Sequence, residues 1–355
     1  MRKKPTLISL ALLCAAISCQ KPTVNPENPS IPKKWKVTTV AGEGTASFVN
    51  GPALSATFHF PEDIAFDKDD NFYVTDVLNK VIRRLNAGQV STFAGSGDFD
   101  IINGNGTAAK FRSPFSIAVD GNGNVFSSDD NDPRIRKITP SGEVSTYAGT
   151  ATPGFGDGNA DEAKFRGGNY IATDASGNVF VSDGLNNRIR KISTNGQVNT
   201  FAGSGTAGFN EGNGSTAQFS LPGGITVDRQ GNIFVTDRGN FRIRKITPGG
   251  IVSSLAGSGT QGDKDGSPTE AQFTLDMRDL VIDVDGNLYL SDFDRIRKIT
   301  PQGVVSTIAG SIAGFEDGDG TSAKFNFPNG MTINARGDIF IADLANNRIR
   351  KLSFE

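Results

Sequence analysis

Residues 224–257 read GITVDRQGNIFVTDRGNFRIRKITPGGIVSSLAG, and this stretch shows the strand pattern of one structural unit. Four short runs rich in β-branched and aromatic residues alternate with turns that contain Gly, Asn, Asp or Pro. Runs of this kind predict short antiparallel strands joined by tight turns. Four antiparallel strands in one unit are typical of a propeller blade.

The third run of this unit occurs six times along the chain. The pattern Arg-Ile-Arg-Lys begins at positions 134, 188, 242, 295 and 348, and the variant Val-Ile-Arg-Arg begins at position 81. A constant period of 53 or 54 residues between these positions indicates a tandem array of structural repeats.

The two ends of the chain distinguish a ring from an open array. The sequence stops after the third strand of its last unit, whose fourth strand is missing there. Residues 36–42 (KVTTVAG) match residues 89–95 (QVSTFAG), which form the fourth strand of the first unit. A ring needs the N-terminal segment to complete the last blade, because this pairing leaves no open edge. We therefore predict an all-β, six-bladed β-propeller over residues 35–355, with four antiparallel strands per blade.

Two segments carry a family resemblance. Residues 177–191 (GNVFVSDGLNNRIRK) and 337–351 (GDIFIADLANNRIRK) resemble the NHL repeats of six-bladed propellers, and the chain is similar to bacterial NHL-repeat lipoproteins. The resemblance implies the propeller fold and a binding role, but it implies no particular ligand, because a fold does not determine a function.

The N-terminus predicts export and lipidation. Residues 1–4 carry positive charge, residues 7–17 are apolar, and the small residues before Cys19 resemble a bacterial lipobox, with Ala in place of the usual Leu at its first position. We predict a signal peptide over residues 1–18, followed by a lipidated Cys19 that begins a proline-rich, disordered tether over residues 19–34. The expected location is the bacterial cell envelope, on the outer membrane, facing the periplasm or the surface.

The composition excludes several kinds of site. The two cysteines, Cys14 and Cys19, both precede the repeats, so a disulfide framework and a cysteine-based metal site are excluded. His59 is the one histidine of the chain, which excludes a multi-histidine zinc centre. The net charge is −2 and no basic run stands out, so we predict no nucleic-acid partner.

Segments of about twenty residues lie between the fourth strand of each unit and the first strand of the next. These insertions enlarge one face of a propeller, and we expect a ligand site on that face at the channel mouth. A site must break the sixfold repeat, so its residues belong to positions where the six copies differ. Just before strand one, these are Glu62, Asp63, Phe115, Ser116, Asn169, Tyr170, Arg278 and Asp279, and just after strand two they are Asp130, Arg238 and Phe293.

Carboxylates, an amide and aromatic rings in one mouth suit a glycan or a peptide. We therefore predict a monomeric, membrane-anchored binding protein whose ligand is a glycan or a protein and which needs no cofactor. One alternative is a hydrolase similar to the calcium-dependent lactonases, with Glu62, Asn169 and Asp279 as calcium ligands. Another alternative is a structural scaffold. The sequence leaves open whether the protein is an enzyme, and the absence of a recognisable catalytic set favours binding.

Overall fold

The computed structural model describes Met1 and residues 33–355. Cys19, most of the predicted signal peptide and most of the predicted tether lie outside the described residues. Lys34–Glu355 form one compact unit.

The strands of this unit group into six blades. The first strand, β1 (Trp35–Ala41), belongs to blade six. Blade one contains β2 (Gly51–Pro52), β3 (Pro61–Phe66), β4 (Phe72–Asp76), β5 (Val81–Asn86) and β6 (Gln89–Ala94). Blade two contains β7 (Gly104–Asn105), β8 (Pro114–Val119), β9 (Val125–Asp129), β10 (Asp132–Ile138) and β11 (Glu143–Ala148). Blade three contains β12 (Gly158–Asn159), β13 (Tyr170–Thr173), β14 (Val179–Asp183), β15 (Arg188–Ile192) and β16 (Gln197–Ala202). Blade four contains β17 (Gly212–Asn213), β18 (Pro222–Val227), β19 (Ile233–Asp237), β20 (Arg242–Ile246) and β21 (Ile251–Ala256). Blade five contains β22 (Met277–Ile282), β23 (Leu288–Asp292), β24 (Arg295–Ile299) and β25 (Val305–Ala309). Blade six adds β26 (Gly318–Asp319), β27 (Pro328–Ile333), β28 (Ile339–Asp343) and β29 (Arg348–Phe354). Single-turn 3₁₀ helices lie at Gly106–Ala108, Gly184–Asn186, Arg238–Asn240, Gly320–Ser322 and Leu344–Asn346.

The prediction of an all-β, six-bladed β-propeller is confirmed. Five of the blades contain one strand more than the four expected, because two residues of the insertion pair with the outer strand. In blade four, for example, Gly212 pairs with Val252 and Asn213 pairs with Ile251. Blade five keeps four strands, and its insertion makes a single bridge there, between Gly266 and Val305.

Blade six combines the two ends of the described unit. Strand β1 pairs antiparallel with β29, in a register that runs from Trp35 opposite Phe354 to Ala41 opposite Ile349. The pairing continues past the strands, since the backbones of Lys34 and Glu355 exchange two hydrogen bonds.

In most blades a buried ion pair fixes the end of strand two, which is the second of the four long strands. In blade four, the Asp237 carboxylate accepts hydrogen bonds from the Ser220 N–H at 2.8 Å and from Arg244 Nη1 at 2.7 Å. The Arg244 guanidinium also lies 5.2 Å from the ring centre of Phe219, and all three side chains are buried. These contacts join the insertion, strand two and strand three, so the repeated Asp and Arg have structural roles.

The two faces of the ring differ in their loops. The insertion face carries residues 43–60, 96–113, 150–168, 204–221, 258–276 and 311–327, together with the turns from strand two to strand three. The turn face carries the short turns from strand one to strand two, such as 228–232. Among the described residues, no helix is long and apolar enough to cross a membrane.

Candidate functional site

Strand one of every blade lines the central channel and begins at the insertion face. Most of the residues predicted to lie just before strand one are instead the first residues of these strands, and they meet at one channel mouth. The structure brings Glu62, Tyr170, Arg278 and Asp279 close enough for their charges to influence one another there. Other predicted residues, such as Asp63 and Ser116, have their polar atoms bonded to neighbouring blades instead.

Three of the predicted residues connect neighbouring blades. The Asp63 carboxylate accepts hydrogen bonds from Ser116 Oγ and from the N–H of Ile117, both at 2.8 Å. Ser116 Oγ in turn accepts the N–H of Ile171 at 3.2 Å, and Asp279 Oδ2 accepts the N–H of Met331 at 2.9 Å. Asp63, Ser116 and Asp279 are all buried, and their polar atoms are used inside the protein, between blades one and two, two and three, and five and six.

A second network crosses the mouth itself. The side-chain amide of Asn329 donates a hydrogen bond to Glu62 Oε1, and the Tyr170 hydroxyl donates to Asn329 Oδ1 at 3.3 Å. Phe115 packs edge-on against Tyr170, with ring centres 5.0 Å apart. The network therefore joins blades one, three and six and holds the Glu62 carboxyl group in place.

Burial controls the ionisation of these acids. Desolvation raises the pKa of Glu62 to about 8, although the nearby Arg278 charge opposes the shift. Desolvation also raises the pKa of Asp63 to about 6, against the hydrogen bonds that its carboxylate accepts. The pKa of Asp279 is raised by burial and by the charge of Asp63. Perturbed acids at a cleft mark a functional-site candidate.

Beside this network lies a small cavity that we call the mouth pocket. Its volume is about 120 Å³, and it is lined by Glu62, Asp276, Arg278, Phe293, Phe327, Pro328, Asn329 and Leu344. Phe293 and Phe327 form an edge-to-face pair 5.7 Å apart and are 45% and 42% exposed. Arg278 Nη2 bonds the Asp276 carboxylate at 2.8 Å. The pocket thus combines an exposed aromatic pair with a carboxyl group, an amide and a guanidinium group.

Three of the predicted residues lie at the mouth but outside this pocket. Arg238 donates from Nε to the carbonyl oxygen of Leu275 at 3.1 Å. Asp130 lies beside the insertion of blade three, where burial raises its pKa. Asn169 is 1% exposed, and its Oδ1 atom accepts no hydrogen bond from any residue within 33–355.

Two of the three residues proposed as calcium ligands, Glu62 and Asp279, accept hydrogen bonds within the protein. No group of three Asp, Glu, His or Cys side chains among residues 33–355 is arranged to hold an ion. The Asp-Gly pairs of the insertions are also engaged: Asp157 bonds Arg190 at 2.6 Å, and Asp317 bonds Arg350 at 2.7 Å.

Sequence reasoning missed Phe327 and the role of Asn329. Phe327 has a left-handed backbone (φ 54°), which is uncommon for a bulky residue, and its N–H donates to Asp294 of blade five at 3.2 Å. The sequence signal for Phe327 was weak, because the conformation depends on a side chain from the neighbouring blade. Asn329 had a usable signal, since it occupies the same repeat position as Glu62.

A larger basin opens at the turn face. It has a volume of about 500 Å³ and is formed by the strand-one-to-strand-two turns of blades four, five and six. Two of its acids are occupied by their own turns: Asp228 Oδ1 accepts the N–H groups of Gln230 and Asn232 at 2.9 and 2.8 Å, and Asp283 Oδ1 accepts those of Asp285 and Asn287 at 2.9 and 2.8 Å.

Comparison with known proteins agrees with the fold. The family model described as NHL repeat matches residues 219–246 and 325–352. Teneurin-4 from Homo sapiens is 24% identical over 70% of this chain, and the match spans 12% of that much longer protein. An auxiliary nutrient binding protein from Bacteroides thetaiotaomicron superposes with a TM-score of 0.70 at 18% identity, over 91% of this chain and 77% of that one. A putative gluconolactonase superposes with a TM-score of 0.57 at 12% identity, over 90% of this chain and 92% of that one. The chain therefore carries NHL repeats and folds as a six-bladed β-propeller.

Proposed function

We propose that this protein binds a saccharide at the mouth pocket and that catalysis is not its role. The observation that supports the proposal most is the exposed Phe293–Phe327 pair beside the buried carboxyl group of Glu62. An aromatic ring can cover the apolar face of a sugar ring, while nearby polar groups bind its hydroxyl groups.

The pocket's polar groups complement hydroxyl groups in both directions. With a pKa of about 8, Glu62 is mostly protonated at neutral pH and can donate a hydrogen bond as well as accept one. Arg278 donates only, and the Asn329 amide is already engaged by Glu62 and Tyr170. A neutral ligand with several hydroxyl groups fits this set, because it brings no charge that must be buried.

The size of the pocket limits what enters it. Pockets that enclose drug-sized ligands measure roughly 300–1,000 Å³, whereas the mouth pocket measures about 120 Å³. One end of a ligand is therefore held, and the remainder lies along the insertion face. The turn-face basin is larger, but the carboxylates of Asp228 and Asp283 at its rim are committed to their own turns.

A role in the cell envelope is part of the proposal. The auxiliary nutrient binding proteins of Bacteroides thetaiotaomicron and Bacteroides ovatus share the fold at 18% identity each, and the proposal extends nutrient binding to this chain. The predicted lipid at Cys19 supports the same location.

A glycan array followed by titration calorimetry tests the proposal. We expect at least one oligosaccharide to bind, and we expect Phe327→Ala to weaken that binding at least roughly tenfold, since an aromatic contact and its burial contribute about 1.5 kcal/mol or more. Val284→Ala is the matched control, because Val284 is 69% exposed on the turn face. Binding that survives Phe327→Ala unchanged, or an array without any hit, contradicts the proposal.

A protein partner is the second candidate. Phe60 and Leu221 are 39% and 42% exposed on the insertion face, and both have left-handed backbones held by Asn347 and Asn187 of neighbouring blades. Exposed apolar side chains in held conformations suit a docking surface. If Leu221→Ala abolishes the activity of the protein in cells while Phe327→Ala leaves that activity intact, the ligand is a protein that docks at the insertion face.

A further inference from the structure

Blade five departs from the other blades at three positions that meet in space. Its turn from strand two to strand three has two residues between Asp292 and Arg295, whereas blade three has four between Asp183 and Arg188. Its insertion carries Asp263 where blades one, three, four and six carry phenylalanine. The insertion that follows has Ile312 at a position that is glycine after blades one, three, four and six.

In three blades these positions form a filled stack. The first arginine of strand three lies against an exposed phenylalanine on one side and a glycine of the following insertion on the other. The guanidinium carbon lies 3.7 Å from the ring centre in the Phe155–Arg188 stack, 4.1 Å in Phe209–Arg242 and 3.8 Å in Phe315–Arg348. A Cβ atom on Gly205, Gly259 or Gly44 would overlap the guanidinium group, so the stack leaves no space.

In blade five the stack is replaced by a cavity, which we call the blade-five pocket. Arg295 Nη1 instead bonds the Asp263 carboxylate at 2.5 Å. The pocket has a volume of about 380 Å³, and its lining includes Asp263, Phe293, Asp294, Arg295, Ile312 and Ala313. This volume falls within the range of roughly 300–1,000 Å³ that is typical of ligand sites.

One carboxylate oxygen in this pocket is reached by solvent and accepts no hydrogen bond from the described residues. Asp294 is 2% exposed, and its Oδ1 accepts the N–H of Phe327 at 3.2 Å. Within residues 33–355, no donor bonds its Oδ2, and this oxygen is open to the solvent in the pocket. The corresponding residues Asn187 and Asn347 use their Nδ2 groups at this place, donating to the carbonyl oxygens of Gly205 and Gly44.

The exchange of Asn for Asp has a clear chemical consequence. It puts an acceptor where blades three and six have a donor, and this acceptor faces the pocket without a protein partner. A ligand in the pocket can therefore donate a hydrogen bond to Asp294. The apolar walls of Phe293 and Ile312 require that the same ligand also present an apolar face.

We propose that the blade-five pocket binds a second sugar residue of the saccharide held at the mouth pocket, an inference that rests on the proposed function. Phe293 lines both cavities, so one oligosaccharide can occupy them together. A sugar residue supplies hydroxyl donors for Asp294 and C–H groups for Phe293 and Ile312. The charges of Asp263 and Arg295 compensate each other, which suits a neutral ligand.

Titration calorimetry on the full chain with gluco-, manno- and xylo-oligosaccharides of one, two and four residues tests this inference. Asp263→Phe restores the aromatic residue of the other blades and fills the pocket, and Asp294→Asn restores the amide donor. We expect Asp294→Asn to weaken tetrasaccharide binding roughly tenfold, the effect of losing a hydrogen bond to a charged group, and Asp263→Phe to weaken it at least as much by filling the space of the sugar residue. Both variants should leave monosaccharide binding unchanged. Asp285→Asn, an exposed change on the turn face of the same blade, is the control and should bind as wild type does.

The possible results separate the two proposals. If both variants bind the tetrasaccharide as wild type does while Phe327→Ala loses it, the blade-five inference is wrong and the mouth site stands. If wild type binds no saccharide, the proposed function fails, and the sugar site in blade five fails with it. Binding of glucosamine but not of glucose, lost in Asp294→Asn, would replace the neutral sugar by a cationic ligand and overturn the inference as stated. Thermal unfolding checks that each variant is folded, and Asp294→Asn alone decides if Asp263→Phe is not.

Discussion

The side-chain amide of Asn329 donates a hydrogen bond to the carboxyl group of Glu62, 267 positions earlier in the chain. The bond crosses from blade six to blade one, and Tyr170 of blade three bonds the same amide. Three blades therefore hold Glu62 in a buried position at the channel mouth, where its neutral form is favoured.

The raised pKa of Glu62 predicts how stability depends on pH. Because its pKa is about 8 in the folded protein and 4.5 ordinarily, the folded state binds this proton more tightly. The resulting stabilisation is complete below about pH 4.5 and is lost as the pH rises to about 8. We expect Glu62→Gln to unfold at a higher temperature than wild type at pH 9, with a gain in unfolding free energy on the order of a few kcal/mol, and to show no such gain at pH 4.5.

Thermal melts across this pH range measure the effect. Glu143→Gln, at an exposed position of β11, should follow the wild-type curve. If the melting temperatures of wild type and Glu62→Gln changed with pH in parallel, Glu62 would not be the neutral group that the folded protein favours.

The buried ion pair in blade four predicts a large loss on truncation. Asp237→Ala leaves the Arg244 charge buried without its carboxylate partner, and such changes cost about 3–5 kcal/mol. Glu316→Ala removes a surface pair with Lys324 and should cost about 0–1 kcal/mol. Urea unfolding measures both variants, and losses of similar size in the two would contradict the structural role of Asp237.

Much of this architecture could be predicted from the sequence. The period of the Arg-Ile-Arg-Lys pattern and the match between residues 36–42 and 89–95 predicted six blades, because repeated β-branched runs have few alternative arrangements. The extra two-residue strands were missed, since pairs such as Gly212–Asn213 carry no strand signal of their own.

The site was harder to predict, for physical reasons. Adjacent strand residues point in opposite directions, and the sequence does not reveal which one faces the neighbouring blade. Asp63 was therefore grouped with Glu62, although it bonds blade two. The blade-five pocket depends on Asp263, Asp294 and Ile312, which lie far apart in the sequence and meet only in the fold.

Calcium should leave the stability unchanged. Burial raises the pKa of Glu62 and of Asp279, which favours their neutral forms and works against binding a cation. Thermal melts with millimolar calcium and with EDTA should coincide. A calcium-dependent rise in Tm that disappears in Asp279→Asn would instead favour the lactonase alternative.

Lipidation should depend on one of the two cysteines. We expect Cys19→Ser to abolish labelling by a palmitate analogue and to release the protein from the membrane fraction, because Cys19 follows the lipobox-like residues. Cys14→Ser is the matched control and should be labelled as wild type is. Labelling that persists in Cys19→Ser would refute the predicted anchor.

A crystal structure of the protein with the tightest-binding oligosaccharide is the decisive test of the proposed saccharide site. We expect a sugar residue in contact with Phe327, Phe293 and the Glu62 carboxyl group at the insertion-face mouth. A saccharide bound at the turn face, or an empty mouth pocket at saturating saccharide, would contradict it.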